Sequence, residues 1–318
     1  MVIRAISRRQ FVFTALGSVA SVLSGYPADV EQTSAAKDSG DVLMQRYGFI
    51  RYRPMGVGHR IYKKGKGPAV LILHELPGLS LDDIGLACRV AESGFTAVVP
   101  VFFGKPGSDH RIRNLLTQCF VPFTPFHCWV PGITSRVANW LATLVPELYR
   151  ECGGKGVGVI GMCLTGSLPL ALLKVPAVKA AVLCQPTNPF LLKHHLDISR
   201  GDLQAAIDRD DLTVLAVKFS GDGKSPHQRF QTLHEKLKGH FNELIINSGR
   251  ESEPLSGAQH SVLGGGYDSG PTASATREAF NRVIRYLDQR LSDPPTRAPY
   301  PLLGEECAPE MFTSCQTY

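Results

Sequence analysis

Six residues in the middle of the chain have the types and spacing of a nucleophile held on a sharp turn: Gly-Met-Cys-Leu-Thr-Gly at 161–166. They follow a run of small and β-branched residues and precede the apolar stretch Leu168–Leu173, so the pattern predicts strand, turn and helix in that order. Gly161 lies two positions before Cys163 and Gly166 three positions after it. Small residues there let the strand and helix pass close together. The pattern predicts covalent catalysis by a thiolate.

A cysteine in this place needs a partner that removes its proton, because a thiol at its ordinary pKa is mostly protonated near neutrality. The helix predicted after the turn favours the anion through its N-terminal dipole. A catalytic acid and then a histidine are expected later in the chain, in loops that follow strands. Asp222 follows the predicted strand Leu212–Ser220, and His260 lies between the last predicted strand and the last helix. We therefore predict that His260 takes the proton of Cys163 and that Asp222 fixes the imidazole tautomer.

Each of these two residues also has an ordinary interpretation. Asp222 can be a turn residue whose carboxylate binds its own backbone. His260 can be a loop histidine without a catalytic role, since the chain has 10 histidines. The order of the three groups favours the catalytic interpretation, because all three fall in the loops where such groups are needed.

A second motif follows the first central strand: His-Glu-Leu-Pro-Gly at residues 74–78. A loop in this place supplies one backbone N–H to the oxyanion, and the residue after the nucleophile supplies the other. We assign these donors to Leu76 and Leu164. Glu75 would then project its carboxylate into the site, although spacing alone is equally compatible with a solvated glutamate.

Residues 156–161 also match G-x-G-x-x-G, a pattern typical of dinucleotide-binding loops. That motif requires glycines that follow a strand and open a helix, with an acidic residue about 20 positions later. Here the glycines lie before and within the predicted strand, and no acidic residue follows at that distance. The pattern does not indicate a dinucleotide site.

Apolar β-rich runs alternate with segments of helical periodicity through most of the chain, which predicts an α/β fold with a mainly parallel sheet and helices on both faces. The predicted strands are 69–74, 96–103, 156–160, 178–184, 212–220 and 243–246, and the predicted helices are 81–92, 133–149, 227–237 and 273–291. Between 104 and 132 the chain is irregular and rich in aromatic residues, which predicts a long loop or partial cap over the site.

The N-terminus has the pattern of a twin-arginine signal, Ser-Arg-Arg-Gln-Phe-Val at residues 7–12, followed by a short apolar run. We predict a signal segment over 1–28, with Ala28 as a weak cleavage site, and hence a periplasmic or secreted protein. Alternatively, the N-terminal segment is a disordered tail, or the gene starts at Met44. The protein would then be cytoplasmic. We predict a linker at 29–45, one domain over 46–292 and a proline-rich surface tail at 293–318.

The composition is that of a globular protein: 318 residues, 43% hydrophobic and 19% charged, with a net charge of +6. Three of those charges are arginines that precede the first acidic residue, so no nucleic-acid partner is indicated. No membrane contact is expected after removal of the signal. The 8 cysteines show no C-x-x-C pair and no zinc spacing, so we predict no metal site. Cys307 and Cys315 could pair if the protein is exported.

From Ala69 to Leu291 the chain resembles the dienelactone hydrolases of the α/β-hydrolase superfamily. The motifs that carry this resemblance are 74–78, 161–166, an aspartate four residues before Pro226, and Gln-His-Ser around His260. The resemblance implies a single α/β-hydrolase domain and no metal or organic cofactor. It also implies that Glu75 restrains the resting Cys163 and assists its deprotonation once substrate displaces the carboxylate.

The departures from that family's pattern concern the substrate and the turn. Gly264 stands where relatives that act on dienelactones carry an arginine for the substrate carboxylate, and Lys105 could supply a substitute cation. Phe103, Lys105 and Trp129 are the candidate substrate-binding residues. Thr165 stands where relatives often have glycine, and Pro169 removes a donor early in the next helix, which predicts a kink.

These observations predict a hydrolase that cleaves a small carboxylic ester or lactone, neutral or aromatic, through Cys163, His260 and Asp222. Two alternatives remain open. The same site could transfer an acyl group to an alcohol or amine, or the chain could be a binding protein that has kept the fold without catalysis. The sequence sets neither the natural substrate nor the oligomeric state.

Overall fold

In the computed structural model, the residues described are 39–54, 59–76, 78–108, 132–187, 196, 198–211, 213–248, 260–297 and the backbone of 312–317. Several predictions fall outside them: the twin-arginine segment with Ala28, most of the aromatic loop with Trp129, and the pairing of Cys307 with Cys315.

In the described part of the chain, nine strands form one sheet in the order β1-β2-β4-β3-β5-β6-β7-β8-β9. The strands are β1 (Ile50–Tyr52), β2 (Arg60–Lys64), β3 (Ala69–Leu73), β4 (Thr96–Val101), β5 (Val157–Met162), β6 (Val178–Cys184), β7 (Val214–Phe219), β8 (Phe241–Ile246) and β9 (Phe312–Thr317). Six neighbouring strands are parallel to one another: β4, β3, β5, β6, β7 and β8. The strands β1 and β2 on one side and β9 on the other pair antiparallel. The carboxyl ends of the parallel strands therefore meet at one edge of the sheet.

Helices cover both faces of the sheet because alternate side chains of the strands point to opposite sides. The helices are α1 (Ser39–Arg46), α2 (Leu81–Glu92), α3 (Arg136–Cys152), α4 (Leu168–Leu172), α5 (Arg200–Ile207), α6 (His227–Leu237) and α7 (Ala273–Leu291). Val70 and Ile72 of β3 lie in the core that α2 and α7 cover. Ala69, Leu71 and Leu73 lie in the core that α3 to α6 cover. The predicted mainly parallel sheet with helices on both faces is confirmed.

The two ends of the domain differ from the sequence prediction. Residues 39–46 form α1, whose Met44 is fully buried, so the linker predicted at 29–45 has to be shortened. At the other end, residues 312–317 pair with β8, whereas the whole tail from 293 was predicted to lie along the surface. Neither short element shows in the pattern, because the interactions that define it are with distant segments: Met44 of α1 is buried in the core, and the backbone of β9 pairs with β8. No helix among the described residues is both long and apolar enough to cross a bilayer.

Candidate active site

The nucleophile turn has the predicted arrangement of strand, sharp turn and helix. Cys163 directly follows β5 and opens a single 3₁₀ turn, and its φ of 52° is rare for a residue with a side chain. Its neighbours come very close: a Cβ at Gly161 would overlap the Thr165 carbonyl oxygen, and one at Gly166 would lie 2.6 Å from Pro186 Cα. Both glycines are therefore required by the close approach of backbone to backbone.

We expect Gly161→Ala to lower the free energy of unfolding by about 2–3 kcal/mol and to reduce activity, because the new methyl group meets rigid backbone. Gly201→Ala is the matched control: it lies in α5, and its Cβ would have no heavy atom within 4 Å. This control should be neutral or more stable by about 0.5–1 kcal/mol. Urea unfolding measures both, and equal midpoints for the two variants would contradict the prediction.

Thr165 closes the turn rather than widening it. Its buried hydroxyl donates to the carbonyl oxygen of Leu73 at 2.8 Å and accepts from the N–H of Met162 at 3.0 Å. The turn is thereby tied to the end of β3. The kink predicted at Pro169 is wrong, because this residue lies in the first turn of α4, where its missing N–H would have no partner within the helix. The helix α4 has only five residues, so its dipole favours an anion at Cys163 less than the sequence predicts.

The structure brings Cys163, His260 and Asp222 together at the edge where the parallel strands end. His260 Nδ1 lies 2.7 Å from Asp222 Oδ2, and a hydrogen bond and the charge of Cys163 are among the causes that raise the pKa of the same imidazole. Asp222 follows β7, and its second oxygen accepts from the backbone N–H of Lys224 at 3.0 Å. Asp222 therefore serves both purposes considered above: one carboxylate oxygen binds the backbone of its own turn, and the other lies beside the imidazole. Both Asp222 and His260 are buried.

The charge state of His260 is set by opposing effects. Burial disfavours the imidazolium, but hydrogen bonds to Asp222 and Cys163, together with their charges, outweigh it and raise the pKa of His260 to about 10. A buried imidazole would otherwise be neutral at physiological pH. The surroundings of His260 therefore favour the imidazolium form of its ring.

This raised pKa predicts a pH-dependent contribution to stability. Since the folded-state pKa lies above the ordinary 6.5, the stabilisation is complete below pH 6.5 and is lost as the pH rises towards 10. Wild type should have a higher free energy of unfolding than His260→Gln at pH 6.5. Between pH 6.5 and about 10 this difference should fall by about 1 kcal/mol per pH unit. Chemical unfolding at a series of pH values tests this, and a difference that stays constant with pH would contradict it.

Thr187 is a residue near the site that the sequence interpretation missed. Its Oγ lies 3.2 Å from His260 Nε2 and donates to the carbonyl oxygen of Gln185 at 3.1 Å. Its backbone N–H donates to the carbonyl oxygen of Cys163 at 2.9 Å. The available signal was positional: Thr187 comes three residues after the end of β6, the neighbour of β5, so its loop has to pass beside the turn.

Glu75 is half-buried and bound by two polar side chains rather than solvated. Its Oε1 accepts from Gln185 Nε2 at 3.0 Å and from the Ser261 hydroxyl. Burial, followed by the charge of Glu75, raises the pKa of Asp83 to about 8, although hydrogen bonds from Ser80 oppose the shift. The restraint of Cys163 by Glu75 stays a prediction.

The positions predicted to bind substrate have different surroundings. A Cβ at Gly264 would lie 2.5 Å from Ser261 Oγ and 3.5 Å from Glu75 Oε1, so this position faces the site but offers no side chain. Phe103 is buried edge-on against the His74 ring at 4.8 Å, whereas Lys105 is exposed in the turn after β4. Within the described residues, no three His, Cys, Asp or Glu side chains are grouped so that they could hold a metal ion.

Comparison with known proteins gives a family for this arrangement. The model of the dienelactone hydrolase family matches residues 57–291, which is most of the chain. A solved structure from Klebsiella pneumoniae, assigned as a dienelactone hydrolase, is similar with a TM-score of 0.52 and 18% identity over 76% of this chain and 98% of that one. A dienelactone hydrolase-like promiscuous phosphotriesterase from metagenomic libraries has a TM-score of 0.52 and 17% identity over 75% and 97%. No curated protein matches the sequence.

At these identities the solved structures show a shared fold alone, and the assignment rests on the family match over residues 57–291. The chain belongs to the dienelactone hydrolase family.

Proposed function

We propose that this hydrolase cleaves a carboxylic ester or lactone by covalent catalysis, with Cys163 as nucleophile, His260 as base and acid, and Asp222 as the partner of the imidazole. The observation that carries the proposal is the position of the His260 ring. Its Nδ1 lies 2.7 Å from Asp222 Oδ2, and a hydrogen bond to Cys163 is among the causes that raise its pKa. A cysteine at a strained apex with such a partner is suited to nucleophilic attack.

The reaction proceeds through a thioester. The Cys163 sulfur attacks the carbonyl carbon, and the electron pair moves to the oxygen, which accepts hydrogen bonds from the N–H groups of Leu76 and Leu164. Collapse of this intermediate breaks the bond to the alkoxy oxygen, which takes a proton from His260. Water then attacks the thioester and gives its proton to His260, and the acid leaves as the thiol side chain is restored.

The surroundings of the site favour an uncharged substrate. Glu75 carries a carboxylate, and its charge contributes to the raised pKa of the neighbouring Asp83. At Gly264, where an arginine would bind a substrate carboxylate, there is no side chain. An anionic acyl group would meet the negative charge of Glu75 at this place, where position 264 supplies no cation. A neutral ester or lactone, including an aromatic one, is therefore the expected substrate class.

A substrate screen with detection of the covalent intermediate tests this function. The panel contains neutral p-nitrophenyl esters, neutral lactones, a carboxylate-bearing dienelactone and, because one similar structure is named a phosphotriesterase, a phosphotriester. We expect hydrolysis of the neutral carboxylic esters or lactones and an acyl adduct on Cys163 in the intact-protein mass spectrum. An adduct on another cysteine, or turnover of the phosphotriester alone, would overturn the proposal.

Two other thiols of the chain, one of them at the sheet edge opposite to the site, are poor competitors for the acyl group. Cys184 is fully buried at the end of β6, and burial with the charge of Glu75 raises the pKa of its thiol. Burial likewise raises the pKa of Cys152 in α3. Since the thiolate is the nucleophile, neither should accumulate an adduct. An added alcohol acceptor separates hydrolysis from acyl transfer, because a transferase would form the new ester in preference to the acid.

A further inference from the structure

His74, the first residue after β3, is completely buried and bound at both ring nitrogens. Nε2 lies 3.1 Å from the backbone nitrogen of Phe102, and Nδ1 lies 2.9 Å from the carbonyl oxygen of Glu75. A backbone N–H can only donate, so Nε2 is the acceptor and carries no proton. Nδ1 therefore carries the proton and donates to Glu75. Burial lowers the pKa of His74 to about 4, which keeps this ring neutral at physiological pH.

These bonds determine the orientation of one peptide group. The carbonyl oxygen of Glu75 also accepts from the N–H of Gly78 at 3.2 Å, so two donors hold it. The peptide between Glu75 and Leu76 is planar, and it is trans because the cis bond described in this chain is elsewhere. Its N–H, which belongs to Leu76, therefore points away from the side on which His74 holds the carbonyl.

We propose that His74 is a positioning residue for the oxyanion site: its Nδ1–H holds the Glu75–Leu76 peptide in the orientation that presents the Leu76 N–H to the substrate oxygen. This inference rests on the proposed function, in which Leu76 is one of the two donors. It assigns His74 no contact with the substrate.

The ring is held firmly enough for this role. The bond to Phe102 joins His74 to the chain that leaves β4, the strand next to β3 in the sheet. The rings of Phe102 and Phe103 lie against the imidazole at 5.0 and 4.8 Å. Rotation of the peptide would leave the buried Nδ1–H without its acceptor, and a buried donor without a partner is unfavourable. The orientation is thus fixed before substrate arrives, as electrostatic stabilisation of an oxyanion requires.

Two substitutions separate the two nitrogens of His74. The amide nitrogen of His74→Asn can take the place of Nδ1 and donate to Glu75, but this side chain is too short to reach Phe102. The amide oxygen of His74→Gln can take the place of Nε2 and accept from Phe102, but the donor to Glu75 is lost. We expect His74→Asn to keep kcat within about 10-fold of wild type and His74→Gln to lose roughly 10²-fold, with KM changed little in both.

Two further measurements distinguish positioning from structural damage. An aldehyde inhibitor, which forms an oxyanion-like adduct on Cys163, should lose affinity in His74→Gln by the same factor as kcat. Alkylation of Cys163 by iodoacetamide needs no oxyanion donor and should keep its rate. Equal losses of kcat in both variants, or a parallel loss of the alkylation rate, would overturn the proposal.

A measurement on the unmodified protein keeps the inference testable if either variant fails to fold. The ¹⁵N NMR shifts of His74 at pH 7 should show a neutral ring protonated at Nδ1, and a proton on Nε2 would overturn it. Failure of the proposed function can be distinguished from failure of this inference. If the proposed function is wrong, wild type itself hydrolyses no ester or lactone and forms no acyl adduct, whatever the tautomer of His74.

Discussion

Cys163→Ala is expected to lower kcat/KM for every hydrolysed ester by at least about 10⁴-fold. Without the sulfur there is no atom to form the thioester, and the activity that remains can come only from water attack on a carbonyl held by the oxyanion donors. The fold should survive, because the side chain removed is small and follows β5 rather than lying within it. Initial rates and intact-protein mass spectra measure the effect, and the acyl adduct should disappear together with turnover.

Cys88→Ala is the matched control for this substitution. Cys88 lies half-buried in α2, where its sulfur contacts the Lys64 ammonium at 3.3 Å, and no hydrogen bond or charge interaction described for it involves Asp222 or His260. This variant should keep the wild-type kcat and the wild-type adduct. Retention of more than about a tenth of the activity in Cys163→Ala would exclude this residue as the nucleophile.

The nucleophile turn can be predicted from sequence because its determinants are local. Gly161 and Gly166 lie within three residues of Cys163, and the close approach at Gly161 is made by Thr165 of the same turn, although that at Gly166 is made by Pro186 after the next strand, β6. The positions of Asp222 and His260 follow from a general property of parallel sheets, whose strands all end at one edge. Chain order and strand assignment are therefore sufficient to bring the three residues together.

The contacts around Glu75 cannot be obtained in this way. Its partners Gln185 and Ser261 lie 110 and 186 positions away, in loops that follow other strands. Thr165 shows the same limit. Sequence reasoning treats it as a bulky residue in a tight turn, but its hydroxyl binds a carbonyl of β3, 92 positions earlier. Such contacts depend on the exact approach of loops, and the residue types alone do not determine it.

Asp222→Asn should leave the fold intact and lower kcat by roughly 10²–10⁴-fold. The amide oxygen can still accept from the N–H of Lys224, which preserves the turn. The amide nitrogen, however, would face His260 Nδ1, where Asp222 Oδ2 now lies at 2.7 Å. Because that amide is a donor, the imidazole has to accept at Nδ1 and carry its proton on Nε2. In that tautomer it cannot take the proton of Cys163.

The same substitution should also lower the pKa of His260 from about 10 towards 6.5, since the hydrogen bond and charge of Asp222 are among the causes of the shift. Histidine ¹⁵N NMR over pH 5–10 reports both the tautomer and this pKa. Asp211→Asn is the matched control, because Asp211 is paired with Arg209 and Lys179 at the protein surface, and it should leave both kcat and the pKa of His260 unchanged. A fully active Asp222→Asn, or a His260 pKa that stays near 10, would mean that Asp222 serves the turn alone.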